Sequence, residues 1–296
     1  MNMRGTPCIL VSGYLGAGKT TLINAFLRAP HGLKATVLVN DFGKINIDAD
    51  LIENADGETI SLTNGCACCS IGDSLLETAG RVMLKSPRPD LVIVEASGVA
   101  KPDRLALLLL GVAGLEPARV VTTVDASQAR SAAHDKFISG LFRNQIKSAD
   151  FVAVNRVNSP QDAKFIEGYL EQHAPQAVRI AGLHQAVDSK AKRKSWVSRT
   201  PGLETGRYDH AEFATQVHII PESFSIADVE RWVKELPISV HRAKGFVRGN
   251  LPGQPEAVFL VSRTRGEVSI TETDTSIDQT KLGKIITIEP HEIVER

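Results

Sequence analysis

The most constraining feature of the sequence is a glycine-rich loop at residues 13–20, Gly-Tyr-Leu-Gly-Ala-Gly-Lys-Thr, directly after an apolar run at 8–11. Glycines at this spacing let backbone N–H groups approach phosphate oxygens without an obstructing Cβ. The helix that begins at Lys19 directs the positive end of its dipole at the same phosphates. The pattern therefore predicts a P-loop, the strand, loop and helix that bind the phosphates of a nucleoside triphosphate.

The individual residues of this loop have distinct expected contacts. The Lys19 ammonium is expected to reach the β- and γ-phosphates, and the Thr20 hydroxyl is expected to bind Mg²⁺. The remaining loop residues predicted to line the phosphates are Gly13, Gly16, Ala17 and Gly18.

A P-loop needs a carboxylate to complete its Mg²⁺ site, and the sequence offers two. Glu95 ends the apolar run 91–94, the usual position for this role, and Gly98 follows three residues later, where its amide is placed to sense the γ-phosphate. Asp41, in the segment 40–43, follows another predicted strand. We expect Asp41 and Glu95 to lie near Mg²⁺ and the γ-phosphate.

The segment expected to recognise the base is Asn155-Arg156-Val157-Asn158, which follows the apolar run 151–154. Guanine-specific P-loop proteins have Asn-Lys-x-Asp here, and the Asp accepts hydrogen bonds from guanine N1–H and N2–H. The Asn158 amide carries a donor that would face a donor of guanine. An unsatisfied buried donor costs about 1–3 kcal/mol, so we predict relaxed guanine selectivity, with Arg156 stacking on the base.

Three of the four cysteines lie together, at Cys66, Cys68 and Cys69, and they suit a soft or borderline ion such as Zn²⁺, Co²⁺ or Cu(I). Three ligands leave a tetrahedral site one short, so a fourth ligand or water is implied. An incomplete site on a loop suits a transferred ion better than a structural one. The alternative is three small buried residues that precede a helix at 71–83. Cys8 is expected to be a core residue.

The first 180 or so residues alternate between apolar runs and helical patterns, such as those at 20–27 and after Ser159-Pro160. The runs lie at 8–11, 35–39, 91–94, 120–124, 151–154 and 177–180. Nearly continuous apolar strands that alternate with helices indicate a mostly parallel sheet covered on both faces. We therefore expect a doubly wound α/β P-loop domain at 1–190.

The pattern changes near residue 190. A basic run at 190–194 opens a polar stretch, 191–212, which we interpret as a solvated linker rather than a binding patch. Ser225 is then expected to cap a helix that Pro237 stops. Predicted strands follow at 240–247, 257–262, 268–273 and 285–288. One helix and a meander indicate a smaller α+β domain at 213–296.

Composition excludes some classes of partner. The 34 acidic and 34 basic residues cancel, so no global charge favours nucleic acid or an anionic membrane. We find no apolar stretch that approaches the roughly 20 residues of a membrane span, and the apolar run near the N-terminus is too short for a signal peptide. Clustered cysteines are a poor disulfide framework in a chain of this size. We expect a soluble cytoplasmic protein.

Four segments, in this order, resemble the CobW-like metallochaperone GTPases, relatives of HypB and UreG. They are the P-loop, Asn40-Asp41-Phe42-Gly43, Gly65-Cys66-Ala67-Cys68-Cys69 and Glu95-Ala96-Ser97-Gly98. The corresponding loops of the family read Asn-Glu-Phe-Gly, Gly-Cys-x-Cys-Cys and Glu-x-x-Gly. Further similarity at 121–126, 145–150 and 242–246 extends the resemblance over nearly the whole chain, including the C-terminal domain.

The resemblance implies a low-turnover GTPase that uses GTP and Mg²⁺ and delivers Zn²⁺ or Co²⁺ to a client metalloprotein or a metallo-cofactor enzyme. It leaves homo-oligomerisation open. Phosphate contacts carry over to Gly16, Gly18, Lys19, Thr20 and Thr21. The cargo metal is assigned to Cys66, Cys68 and Cys69, catalysis to Lys19, Asp41 and Glu95, and Mg²⁺ binding to Thr20, Asp41 and Glu95.

Two residues depart from the family pattern: Asp41 replaces a Glu, and Asn158 replaces the Asp that reads the base. The first shortens the reach of a carboxylate by one methylene, and the second puts strict GTP use in doubt. Two other functions fit a P-loop in this chain. One is a small-molecule kinase whose second domain holds the acceptor, and the other is a regulatory module that binds nucleotide without transferring metal.

Overall fold

The computed structural model describes residues 5–39, 58–61, 71–189, 212–251, 254–264, 266–273 and 279–291. The chain divides into two compact units; the described residues up to 189 belong to the first, and those from 212 onwards to the second. The predicted linker, 191–212, lies almost entirely outside the described residues. The predicted domain bounds therefore stay a prediction.

The first unit contains a parallel sheet of seven strands in the order β3-β2-β4-β1-β5-β6-β7. The strands are β1 Cys8–Ser12, β2 Ala35–Val39, β3 Glu58–Ser61, β4 Leu91–Glu95, β5 Arg119–Asp125, β6 Phe151–Asn155 and β7 Val178–Arg179. The helices are α1 Lys19–Arg28, α2 Ile71–Met83, α3 Pro102–Leu109, α4 Ala126–His134, α5 Ser139–Lys147, α6 Pro160–His173 and α7 Leu183–Val187. This architecture confirms the predicted doubly wound α/β fold.

The central strands are apolar because both faces of the sheet are covered. Every residue of β1, β2 and β4 is buried. On one face, Leu10 and Val94 pack with Leu75 of α2 and Leu109 of α3 in a single core cluster. Strand β3 was not predicted, since its sequence, Glu-Thr-Ile-Ser, has one apolar residue and it lies at the edge of the sheet.

The second unit is an antiparallel five-stranded sheet with one helix, which confirms the expected α+β class. Its elements are β8 Glu212–Ile219, α8 Ile226–Glu235, β9 Arg242–Gly249, β10 Ala257–Thr264, β11 Glu267–Glu272 and β12 Lys284–His291. Ser225 caps α8 as predicted, because its Oγ accepts a hydrogen bond from the Asp228 amide at 3.2 Å. Val229 and Val233 of α8 pack in one core cluster with Val247 and Val261 of the sheet.

The second sheet differs from the predicted meander in one respect. Strands β9, β10 and β11 follow one another as a meander, but β12 returns to pair with β9 on one side and β8 on the other. Strand β8 was not predicted, because it is an edge strand with exposed residues on both faces and shows little hydrophobic alternation. None of the described helices is long and apolar enough to cross a bilayer.

We predict that Leu10→Ala lowers the free energy of unfolding by about 2–5 kcal/mol, because it leaves a cavity in the core of the parallel sheet. Leu10 is 0% exposed, and its strand, β1, lies between β4 and β5 in the sheet. Urea denaturation followed by circular dichroism measures the change. Leu84→Ala, at a side chain that is 84% exposed, serves as the control, and equal effects of the two substitutions contradict the assignment of Leu10 to the core.

Candidate functional site

The candidate site lies where four parallel strands end. Strands β1, β4, β5 and β6 finish at Ser12, Glu95, Asp125 and Asn155. The registers pair Val11 with Glu95 and Asp125 with Asn155, so these ends lie along one edge of the sheet. Open α/β sheets bind ligands at this edge, beyond the carboxyl ends of their strands.

The backbone of the P-loop has the conformation that its glycines predict. Gly13, Gly16 and Gly18 all have positive φ angles, of 136°, 75° and 91°. Gly13 also approaches β5 so closely that an added Cβ would collide with the Thr123 carbonyl oxygen and hydroxyl. No side chain fits at Gly13, the first residue of the loop. This close approach to β5 fixes the path by which the chain leaves β1.

Lys19 places its charge inside the loop. Its side chain is buried, with 5% of its surface exposed, and its Nζ donates to the Gly13 carbonyl oxygen at 3.0 Å and to that of Tyr14 at 3.5 Å. A buried ammonium surrounded by carbonyl oxygens and by the start of α1 is placed to bind an anion. Thr21, two residues after Lys19, is exposed on the first turn of α1.

A hydrogen bond joins the P-loop helix to the carboxylate at the end of β4. The Thr20 hydroxyl donates to Glu95 Oε1 at 2.8 Å, and Glu95 is only 2% exposed. Hydroxyl and carboxylate oxygens are the hard donors that Mg²⁺ prefers, so this pair fits the predicted cofactor. Asp41, the other predicted carboxylate, lies outside the described residues.

The loop after β4 packs against the P-loop at Gly98. A Cβ at this position would lie 2.8 Å from the Leu15 amide nitrogen and 2.9 Å from its Cα. Real Cβ atoms do not approach backbone atoms so closely, so a side chain here would push the two loops apart. The structure thus brings the segment predicted to sense the γ-phosphate next to the loop predicted to bind it.

The predicted base-recognition segment is also tied to the P-loop. Asn155 Nδ2 donates to the Ala17 carbonyl oxygen at 2.8 Å. Arg156 Nη1 donates to the Gly16 carbonyl oxygen at 3.3 Å and pairs with Asp125 Oδ2 at 2.8 Å. The guanidinium is therefore engaged at the loop, which leaves the alkyl stem of Arg156 as the part that can lie against a base.

The predicted base reader, Asn158, is exposed in the short connection between β6 and α6. Arg156, two residues earlier, has a φ of 49°, an unusual value for a residue with a side chain. This left-handed turn redirects the chain directly after Asn155. The structure therefore separates the segment into an anchored part, Asn155 and Arg156, and an exposed part that contains Asn158.

Two residues of the site were not singled out from the sequence. Asp125 is 7% exposed, caps α4 through Ser127 and holds Arg156. Gln145 on α5 is 1% exposed and donates to two carbonyl oxygens of the loop after β4. The signal for Asp125 was its place at the end of an apolar run, and the signal for Gln145 was an amide on the buried face of a helix.

The predicted cargo site, Cys66, Cys68 and Cys69, lies outside the described residues. Among the described residues, no group of three or more His, Cys, Asp or Glu side chains could hold a metal ion. Cys8 is buried in β1, as expected, and burial raises the pKa of its thiol to about 12. Its sulfur is protonated at neutral pH and is a poor metal ligand.

Comparison with known proteins matches residues 7–180 to the CobW/HypB/UreG nucleotide-binding domain. The chain is 26% identical over 313 residues to the zinc chaperone CobW of Sinorhizobium sp, and the match covers 88% of this chain and 85% of that protein. It is 28% identical over 224 residues to the zinc-regulated GTPase metalloprotein activator 1 of Dictyostelium discoideum, covering 62% of this chain and 47% of that protein. Among solved structures, Zn(II)-bound YjiA GTPase from E. coli aligns with 99% of this chain and 96% of that chain, at 19% identity and a TM-score of 0.46.

We predict that Gly98→Ala weakens the binding of a non-hydrolysable nucleoside triphosphate, with Mg²⁺ present, by about tenfold or more. The added Cβ would displace the loop after β4 from the P-loop, and strain of 1–3 kcal/mol is typical of such overpacking. Titration calorimetry measures the affinity. Gly168→Ala is the control, since a Cβ at this position of α6 meets nothing within 4 Å. Unchanged affinity in Gly98→Ala contradicts the prediction.

Proposed function

Because the chain belongs to the CobW/HypB/UreG family, we propose that it is a GTPase that carries zinc or cobalt and delivers it to a client protein or a cofactor pathway. The observation that carries the proposal is the buried contact between Thr20 and Glu95 within a P-loop fold, in a chain that also has a Cys-Ala-Cys-Cys cluster. Names of the relatives, a zinc chaperone and a zinc-regulated GTPase, favour zinc as the cargo.

Nucleotide binding starts from the charge inside the loop. The buried ammonium of Lys19 and the amides at the start of α1 bind the phosphates, and the loop residues Gly13, Gly16, Ala17 and Gly18 shape the cradle. Thr20 and Glu95, with Asp41, would hold Mg²⁺. When bound, Mg²⁺ neutralises charge on the β- and γ-phosphates.

Hydrolysis needs groups that orient a water molecule and stabilise negative charge at the transferred phosphoryl group. We assign charge stabilisation to Lys19, whose Nζ already lies within the loop. We assign the organisation of the reacting groups to Asp41 and Glu95, and binding of the γ-phosphate to the Gly98 amide. Packing of Gly98 on Leu15 supports this role, because it keeps the two loops together.

Transfer of the metal follows from the order of the segments. The cysteine cluster lies between Asp41 and Glu95 in the chain, so loops ordered by the γ-phosphate flank it on both sides. Hydrolysis would relax those loops and release the ion from the thiolates. Linkage makes this coupling reciprocal, so bound metal tightens the binding of triphosphate.

The coupling predicts that Zn²⁺ and Co²⁺ bind at least about fivefold more tightly with a non-hydrolysable GTP analogue than with GDP or no nucleotide, the lower range of allosteric coupling. Competition with a chromophoric chelator measures the affinities. Serine replacement of Cys66, Cys68 and Cys69 should abolish the difference, and Cys8→Ala should preserve it.

Equal metal affinity in all three nucleotide states contradicts the transfer model. The triple serine variant also distinguishes the rival functions: a small-molecule kinase retains its phosphoryl transfer without these thiols. Negligible hydrolysis, even with metal and client present, would instead favour the nucleotide-dependent regulatory module.

We further propose that base selectivity is relaxed. Asn155 and Arg156 anchor the recognition segment on the P-loop, so the segment can still bind a nucleotide. The amide of Asn158 offers a donor to the part of guanine that also donates, whereas the same position of xanthine carries an acceptor oxygen.

We predict that Asn158→Asp raises the preference for GTP over ATP and XTP by up to about a hundredfold, because the carboxylate accepts both guanine donors. Affinities for the three nucleotides, measured with fluorescent analogues, give the selectivity of each variant. Val157→Ala, at a half-exposed neighbour, serves as the control. A native protein that already strongly prefers GTP, with no gain from Asn158→Asp, refutes relaxed selectivity.

A further inference from the structure

Gln145 is a polar residue in the core of the first unit. Its neighbours on the buried face of α5 are apolar, Leu141, Phe142 and Ile146, and Gln145 itself is 1% exposed. Burying an amide is unfavourable unless its groups are hydrogen-bonded. An apolar residue would serve packing better here, so the amide calls for another explanation.

Both N–H groups of the Gln145 amide are directed at one loop. Nε2 donates to the Gly98 carbonyl oxygen at 3.0 Å and to the Ala100 carbonyl oxygen at 3.1 Å. Among the described residues, Gln145 Oε1 is buried and accepts no hydrogen bond. The Gln145 side chain thus donates two hydrogen bonds, and these satisfy the carbonyl oxygens of Gly98 and Ala100 in the loop.

The loop that Gln145 holds runs from the Mg²⁺-binding candidate to the start of α3. It begins after Glu95, whose carboxylate accepts from Thr20, and it packs on the P-loop at Gly98. The amide of Gln145 binds this loop on the side of α5, while Leu15 contacts it on the side of the P-loop. Gly98 is therefore fixed between two elements.

Gln145 is itself fixed by the sheet. The Thr122 hydroxyl, on β5, donates to the backbone carbonyl oxygen of Gln145 at 2.9 Å. A rigid chain of contacts therefore runs from β5 through α5 to the backbone of residues 98–100. Such a chain determines where the Gly98 amide lies relative to the phosphate site.

We propose that Gln145 is a positioning residue that holds residues 96–100 against the P-loop and so sets the place of the Gly98 amide at the γ-phosphate. The proposal rests on the proposed triphosphatase function. Because both N–H groups of the Gln145 amide bind the backbone of this loop, we expect its loss to affect the step that depends on the γ-phosphate more than nucleotide affinity.

The test is Gln145→Met, which keeps the length and apolar stem of the side chain and removes both donors. We expect kcat for GTP to fall about 10- to 100-fold, the range expected when a reacting geometry is displaced by about an ångström. KM and the affinity for GDP should change by no more than about twofold. Ser148→Ala is the control for a general loss of stability in α5. It removes a hydroxyl at the C-terminal end of this helix that donates to the Asn144 carbonyl oxygen.

Amide hydrogen–deuterium exchange gives a second readout that does not require hydrolysis. Exchange should increase in residues 96–101 of Gln145→Met and stay native in β5 and the remainder of α5. Thr122→Val, which removes the contact to the Gln145 backbone, should show the same local change in weaker form, and it replaces Gln145→Met if that variant does not fold.

The outcomes separate the two proposals. Native kcat and native exchange in Gln145→Met overturn the positioning role, and so does an increase in exchange that spreads over α5 and β5, since this indicates structural support only. If the native protein hydrolyses GTP no faster than Lys19→Ala, the proposed function fails, and the exchange of residues 96–101 still decides the role of Gln145.

Discussion

The hydrogen bond between Thr20 and Glu95 is the contact on which the arrangement of the site depends. It joins the first turn of the P-loop helix to the end of a neighbouring strand, and it holds a carboxylate that is almost fully buried. A buried carboxylate without a partner is strongly unfavourable, so this contact and the fold around it require each other. Parallel pairing of β1 with β4 brings the two residues within reach.

Two other segments converge on the same loop. Gly98 packs against Leu15, while the side chains of Asn155 and Arg156 donate to the carbonyl oxygens of Ala17 and Gly16. The P-loop backbone is thus held by residues that lie at or just beyond the ends of β4 and β6. A cradle of this kind is preorganised, which reduces the entropy that is lost when phosphate binds.

The sequence predicted the parts of the molecule whose chemistry is local. Glycine spacing located the P-loop, and continuous apolar runs located the central strands, because a strand covered on both faces has to be apolar. The edge strands β3 and β8 escaped prediction since partial exposure leaves little hydrophobic pattern. Asp125 and Gln145 escaped for another reason: local patterns mark their positions, but their roles come from contacts with Arg156 and Gly98, which lie far away in the chain. The roles of Asp41 and of the cysteine cluster stay predictions.

The burial of Cys8 also affects how the thiols of this protein can be studied. Burial raises the pKa of its thiol to about 12, so the sulfur is protonated at neutral pH, and its position inside the core shields it from reagents. Alkylation or disulfide exchange in the native protein therefore leaves this position unmodified. Any thiol reactivity of the folded chain then reports on residues 66–69 alone, so the cluster can be followed by chemical labelling without first removing the fourth cysteine.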